Sequence, residues 1–240
     1  ARDRGLRVDQ AGKSVVAGQA QDGLANMLTW IFDLDNTLHD ASPHIFPHIN
    51  RSMTAYMREH LALGEDDANA LRTRYWRTYG ATLLGLMRHH GTDPNHFLHE
   101  THRFAQLDRM VVSERAALAS LDRLRGRKLL YTNSPSHYAM AVLDILGIAD
   151  RFDAVYAIEH VRFQPKPLLA GFRRLLRVER LQPARTVMVD DTLINLRAAR
   201  RLGMRTVWVS RAPRSPHYVD VRVRSVRELP RLSDNLGAAR

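Results

Sequence analysis

Residues 27–32, Met-Leu-Thr-Trp-Ile-Phe, form a short apolar and aromatic run that stops abruptly at Asp33. A run of this length, ended by charge, suits a strand buried on both faces of a parallel sheet. From about residue 45 to 110 the pattern changes. Apolar residues recur three and four apart, as at Met53, Tyr56, Met57 and Leu61, with interruptions at Gly64, Gly80, Gly91 and Pro94. That spacing predicts several helices and no strand. Further on, strand-like runs at 128–131, 154–158, 186–189 and 206–209 alternate with helical stretches such as 137–146, closed by Gly147, and 168–176. Alternation of this kind predicts an α/β fold, a Rossmann-like doubly wound parallel sheet, with an all-helical cap inserted after the first strand. The expected organisation is a flexible tail over residues 1–26, an α/β core over 27–44 and 111–230, the cap over 45–110, and a fraying tail over 231–240.

Composition narrows the chemistry. With 240 residues and 45% apolar content the chain can bury a sizeable core, which excludes disorder of the whole. No run approaches the roughly 18 apolar residues of a membrane span, and no short apolar leader is visible, so the cytoplasm is the expected location. The absence of cysteine removes disulfides, thiolate metal sites and cysteine nucleophiles, and leaves ligands that favour hard ions. The net charge of +11 comes from arginines spread along the whole sequence, with no basic run interleaved with aromatics. Attraction of small anions follows from that more readily than nucleic-acid binding. Only Lys13, Lys128 and Lys166 stand beside 33 arginines, so each lysine is unusual here.

In open α/β sheets ligands sit at the carboxyl ends of the strands. The residues there form four groups: Asp33, Asp35 and Thr37 after the first strand; Thr132 and Asn133 after the second; Lys166 in the loop Phe-Gln-Pro-Lys-Pro; and Asp190 and Asp191, with Asn195 shortly beyond. Each group alone is ordinary turn chemistry. Their order and their common placement at strand ends compose one site. Carboxylates gathered at one sheet edge repel, and a divalent cation together with a lysine would offset that repulsion.

This set, in this order, resembles the haloacid dehalogenase superfamily, across roughly residues 28–225. More narrowly, 32–38, 131–133, Lys166-Pro167 and 190–196 look like the pyrimidine 5'-nucleotidase group, and the cap segments 75–80 and 85–86 are similar to that group's cap. The resemblance implies a magnesium-dependent phosphomonoester hydrolase. Asp33 would be the nucleophile, Asp35 the general acid and base, protonated at first, and Lys166 a catalytic cation. Thr132, Asn133 and Lys166 would bind the phosphoryl group. Magnesium would be held by Asp33, the Asp35 backbone carbonyl and Asp191, with Asp190 in the outer shell. Thr37 and Asn195 would brace the loops. Dehalogenases proper lack the second aspartate, so Asp35 argues against that activity. A sugar-phosphate phosphatase or phosphomutase of the same superfamily is the alternative enzyme. A phosphate-responsive or nucleic-acid-binding module is the alternative outside enzymes.

The expected partner is a small phosphate monoester, with a nucleoside monophosphate lying between cap and core. Tyr75, Trp76, Tyr79 and Phe97, with Arg72, Arg74, Arg77 and Asn95, are the cap residues suited to a flat base. His96, His99 and His102 recur every three residues in the same segment, and a solvated polar face is the expectation there.

Overall fold

The computed structural model describes residues 27–237, so the expected tail over 1–26 and the last three residues lie outside the described residues. Six strands form the core: β1 (Thr29–Phe32), β2 (Arg127–Tyr131), β3 (Ala154–Tyr156), β4 (Thr186–Asp190), β5 (Arg205–Val209) and β6 (Val221–Val223). They make one sheet in the order β3-β2-β1-β4-β5-β6, parallel throughout. From β1 the chain winds outward one way through β2 and β3, then returns to the other side of β1 for β4. The crevice between β1 and β4 is therefore the switch point at which α/β sheets bind ligands.

Between β1 and β2 lies the helical insertion: α1 (Ile45–Leu61), α2 (Glu65–Tyr79), α3 (Thr82–His90) and α4 (Pro94–Thr101), then a short turn of helix over Leu107–Met110. Local chemistry sets their ends. Glu65, Asp66 and Asp67 occupy the first turn of α2, where carboxylates complement the helix dipole. Asp93 caps α4 by accepting from the N–H groups of Asn95 and His96, with Pro94 just inside the helix. Helix α2 stops at Gly80, whose φ of 81° is a left-handed conformation that glycine adopts without strain.

The core helices are α5 (Ser136–Leu146), α6 (Leu169–Val178), α7 (Leu193–Arg201) and α8 (Leu229–Gly237). Alternate residues of each strand point to opposite faces, and two apolar layers result. Trp30, Phe32, Leu130, Val187 and Val189 pack with Tyr138, Val142 and Leu143 of α5 on one side. Ile31, Leu129, Tyr131 and Met188 pack with Phe172 and Leu175 of α6 and Leu196 of α7 on the other.

Two expectations about the chain's elements change. Strand β6 has no counterpart in the sequence reading, because Val-Arg-Val at a sheet edge is too short and too polar to register. The chain after Leu229, read as fraying surface, forms α8, in which Leu229 and Leu236 are buried. Its anchors are seven residues apart, two helical turns, so the stripe is there but thin.

The histidines of α4 are not a uniformly solvated face. His96 Nδ1 lies 3.0 Å from the Tyr56 hydroxyl, and His102, just past the helix, is buried against the Tyr138 ring. Burial, only partly offset by Asp35 and the bond to Leu98 O, pushes the His102 imidazole from 6.5 down to about 4. A base whose folded pKa is depressed contributes stability fully above its unfolded pKa and loses it as pH falls. The window here runs from about 6.5 to about 4, and the expected loss across it is on the order of 3 kcal/mol. Asp33 and Asp191, whose folded pKa values are raised, act in the opposite sense, so the comparison is with His102→Gln. Urea midpoints between pH 7 and 4.5 should fall more steeply for the wild type than for that variant; parallel curves would contradict the assignment.

Candidate active site

Register assembles the acidic groups. Phe32 pairs with Leu130 on one side and Val189 on the other, so Asp33 leaves β1 level with Tyr131 and Asp190. Its N–H still donates to Val189 O at 2.9 Å, which fixes the backbone below the carboxylate. The next residues double back through Asn36 at φ 60°, and the Leu38 N–H bonds to Leu34 O. The Asn36 side chain accepts from Ala41 N and Ser42 Oγ, holding the start of the path into the cap. This turn brings His39 beside Asp35.

Lys166 is the centre of the cluster. Its Nζ donates to Asp33 Oδ1 at 2.6 Å and to Asp190 Oδ2 at 2.8 Å, with only 1% of the side chain exposed. Asn133 holds the lysine's backbone, donating from Nδ2 to Lys166 O and accepting the Lys166 N–H. The Asn133 side chain is thus committed to the loop, which leaves its N–H as the group it can offer a phosphoryl oxygen. The Thr132 hydroxyl oxygen accepts the Ser134 N–H, and its own proton can still be donated.

Asp190 has both oxygens engaged, by Lys166, by the Thr192 N–H, and by Asn195 Nδ2. Asp191 is less committed: its carboxylate accepts from the Thr192 hydroxyl and from its own backbone N–H, and it is partly exposed. Ligand oxygens of Asp33, Asp190 and Asp191 lie within 4.8 Å of one another. Three carboxylates against one ammonium leave an excess of negative charge in a buried place. Burial, with Asp190, Asp191 and Asp35 adding to it and Lys166 opposing, therefore holds the Asp33 carboxyl well above its ordinary value. Burial and Asp190 push Asp191 to about 6. An all-oxygen donor set carrying unneutralised charge fits a hard divalent cation.

Asp35 occupies a different environment. Oδ1 accepts from the Tyr138 hydroxyl at 2.6 Å and faces His39 Nε2 at 3.0 Å, and Oδ2 accepts from Ser134 Oγ at 2.8 Å. Burial raises its pKa, but the bonds from His39, Tyr138 and Ser134 outweigh burial, so the net shift is downward. This downward direction runs against the sequence-based expectation that Asp35 starts protonated. His39, Ser134 and Tyr138 escaped the sequence reading. Ser134 adjoined the Thr-Asn pair and could have been found there, whereas Tyr138 lies inside α5, two residues past its start. His39 was findable only through the doubling-back at Asn36. Its buried Nδ1 has no partner among the described residues, a cost of about 1–3 kcal/mol.

Of the cap residues proposed for a base, Tyr75 and Phe97 are buried in the cap's own packing, and Tyr79 bonds through its hydroxyl to His89. Arg72 is held by Asn50 and Arg74 lies over Tyr75. Trp76, 60% exposed, keeps a free face. The charge is also less scattered than the sequence implies: Arg211, Arg224, Arg227 and Arg231 gather with Glu114 and Glu228 around a groove of about 710 Å³ away from the acidic cluster.

A doubly wound parallel sheet with a helical insertion after β1 and an acidic, lysine-bridged site at its switch point defines a class of hydrolase. The family model described as haloacid dehalogenase-like hydrolase matches residues 27–203, and the chain belongs to that family. Among curated proteins, Phosphate metabolism protein 8 of Saccharomyces cerevisiae is 25% identical over 189 residues, 73% of this chain. The match spans 59% of that relative's length. Among solved structures, an HAD phosphatase from Thermococcus onnurineus aligns at a TM-score of 0.59 and 22% identity, covering 86% of this chain and 97% of that one. The L-2-haloacid dehalogenase of Xanthobacter autotrophicus aligns at 0.56 and 17% identity, covering 87% and 99%. The HAD-hydrolase YfnB of Bacillus subtilis, solved with magnesium, aligns at 0.58 and 18% identity, covering 87% and 99%. At these identities the structural likenesses speak for the fold.

Proposed function

We propose that this chain is a magnesium-dependent phosphomonoester hydrolase that works through an aspartyl-phosphate on Asp33, with pyrimidine nucleoside 5'-monophosphates as its preferred substrates. The observation that carries the reading is the pair of aspartates two residues apart in opposite environments. Asp33 faces Lys166 and the acidic cluster, while Asp35 is turned into a separate set of donors. Halide displacement needs no proton donor, so a second carboxylate with its own hydrogen-bond network favours an oxygen leaving group. The yeast relative's name places that protein in phosphate metabolism, which agrees with this direction.

In the proposed reaction the Asp33 carboxylate attacks phosphorus in line, the ester P–O bond breaks, and Asp35 protonates the departing oxygen. Asp35 reaches that protonated state when the dianionic substrate arrives, because added negative charge raises the proton affinity of a nearby carboxylate. Water then gives a proton to Asp35 and attacks the acyl phosphate, which releases inorganic phosphate and restores Asp33. Lys166, the Thr132 hydroxyl and the N–H groups near Asp35 and Asn133 hold the phosphoryl oxygens. Held by Asp33, Asp191 and the Asp35 carbonyl, with Asp190 outside, magnesium would neutralise charge shared by the cluster and the phosphoryl group.

Trp76 is the cap residue with a face left for a base, and the sequence likeness of the cap to pyrimidine nucleotidases supports the choice of substrate. The test is hydrolysis of UMP, CMP, AMP, GMP and ribose 5-phosphate with magnesium and with a chelator. Chelation should stop turnover. UMP or CMP should exceed AMP and ribose 5-phosphate in kcat/KM by about tenfold, roughly 1.4 kcal/mol of transition-state binding. A preference for ribose 5-phosphate would move the substrate to the sugar-phosphate class. Undiminished hydrolysis without metal would contradict the site as drawn.

A further inference from the structure

His39 has no part in the chemistry described so far. Its side chain is fully buried, Nε2 lies 3.0 Å from Asp35 Oδ1, and Nδ1 finds no partner among the described residues. A carboxylate offers only acceptors, so Nε2 carries the proton in this contact. An apolar side chain would leave no orphaned nitrogen there, but it would also take a donor from the buried Asp35 carboxyl. Among the described residues the imidazole's one polar side-chain contact is with Asp35.

The two oxygens of Asp35 differ in how they are held. Oδ1 is met by two donors, the Tyr138 phenol and the His39 N–H, and is pinned from two directions. Among the described residues Oδ2 meets only Ser134 Oγ. A serine hydroxyl can donate to an ionised oxygen and, after rotating, accept from a protonated one, so Oδ2 can gain and lose a proton without losing its partner. We propose that His39 is a positioning residue which, with Tyr138, fixes Oδ1 of Asp35 and thereby aims Oδ2 at the leaving-group oxygen. The proton then passes from Oδ2 to that oxygen as the P–O bond breaks, and returns to Oδ2 from the water that attacks phosphoryl-Asp33. The assignment rests on the reading of Asp35 as the proton donor.

Leaving groups separate this role from a merely structural one. An alkyl oxygen needs a proton to depart, whereas p-nitrophenolate leaves with little help, and kcat/KM reports only steps through the first irreversible bond cleavage. His39→Leu is expected to lower kcat/KM about 30-fold or more on UMP and by less than about threefold on p-nitrophenyl phosphate. His39→Gln, whose amide N–H reaches a similar position, is expected to recover most of the loss. Equal losses on both esters, or no loss on UMP, overturn the positioning role and leave the phosphatase reading standing. A wild-type protein that hydrolyses neither ester with magnesium overturns the phosphatase reading and this inference with it. Should His39→Leu fail to fold, Tyr138→Phe removes the other anchor of Oδ1 and is expected to show the same selective loss; equal losses on both esters in that variant likewise overturn the role.

Discussion

Asp33→Asn is expected to abolish phosphate ester hydrolysis, by at least about four orders of magnitude or roughly 5 kcal/mol of barrier, without weakening the fold. The amide nearly matches the carboxylate in shape but has no anionic oxygen to attack phosphorus. The stability half of the expectation comes from the charge balance. Asp33 lies among carboxylates that exceed their single ammonium, and burial already disfavours its ionised form. Neutralising it relieves repulsion, and Lys166 keeps its bond to Asp190. The metal-free variant should therefore melt at or above the wild-type temperature. Turnover within about tenfold of wild type, near 1.4 kcal/mol, would rule out covalent catalysis by Asp33. An inactive variant that also melts well below wild type would instead show that the carboxylate is structural.

The second large effect is expected at Lys166. Replacing it with arginine keeps the charge, yet kcat should fall at least about a hundredfold, roughly 2.7 kcal/mol. The ammonium sits between two aspartates at 2.6 and 2.8 Å, and its neighbours leave almost no exposed surface. A planar guanidinium is wider than that gap and carries its protons in a fixed fork. To fit, it would have to push Asp33 away from the line of attack or displace the Tyr131 ring, which lies 5.4 Å from Nζ. Measuring kcat and KM separately distinguishes the outcomes. A rise in KM alone, with kcat preserved, would mean that Lys166 only binds the phosphoryl group and does not set the geometry of Asp33.

Most of the positions legible in the sequence share one property: each sits where a strand stops. Asp33 and Asp190 end apolar runs that could only be strands, and Thr132 follows another, so sheet topology placed them together without knowledge of any side chain. Lys166 was legible for a different reason, as a lysine in a chain that otherwise uses arginine. What stayed hidden depends on contacts between segments distant along the chain. Tyr138 reads as one more apolar position on α5, and nothing local shows that its hydroxyl reaches Asp35, 103 residues earlier. His102 fits a polar periodicity, and only the packing of the end of α4 on α5 buries it. The cap aromatics carried the same ambiguity. Spacing could not say which of Tyr75, Trp76 and Phe97 fills the cap and which faces outward, since that depends on how α2, α3 and α4 cross.

Gly80 bears on any attempt to redesign substrate choice. It ends α2 with its backbone against the Lys166-Pro167 loop; a Cβ there would come within 2.9 Å of Pro167 Cδ, on a backbone that already requires φ of 81°. The same few residues of the loop present the ammonium to Asp33 on one side and seat the cap turn on the other. A library that varied Gly80 would disturb the Lys166–Asp33 pair before it altered the cap, and its survivors would be selected for repairing the damage. Trp76, one turn earlier and open to solvent, lets diversity be introduced without that interference.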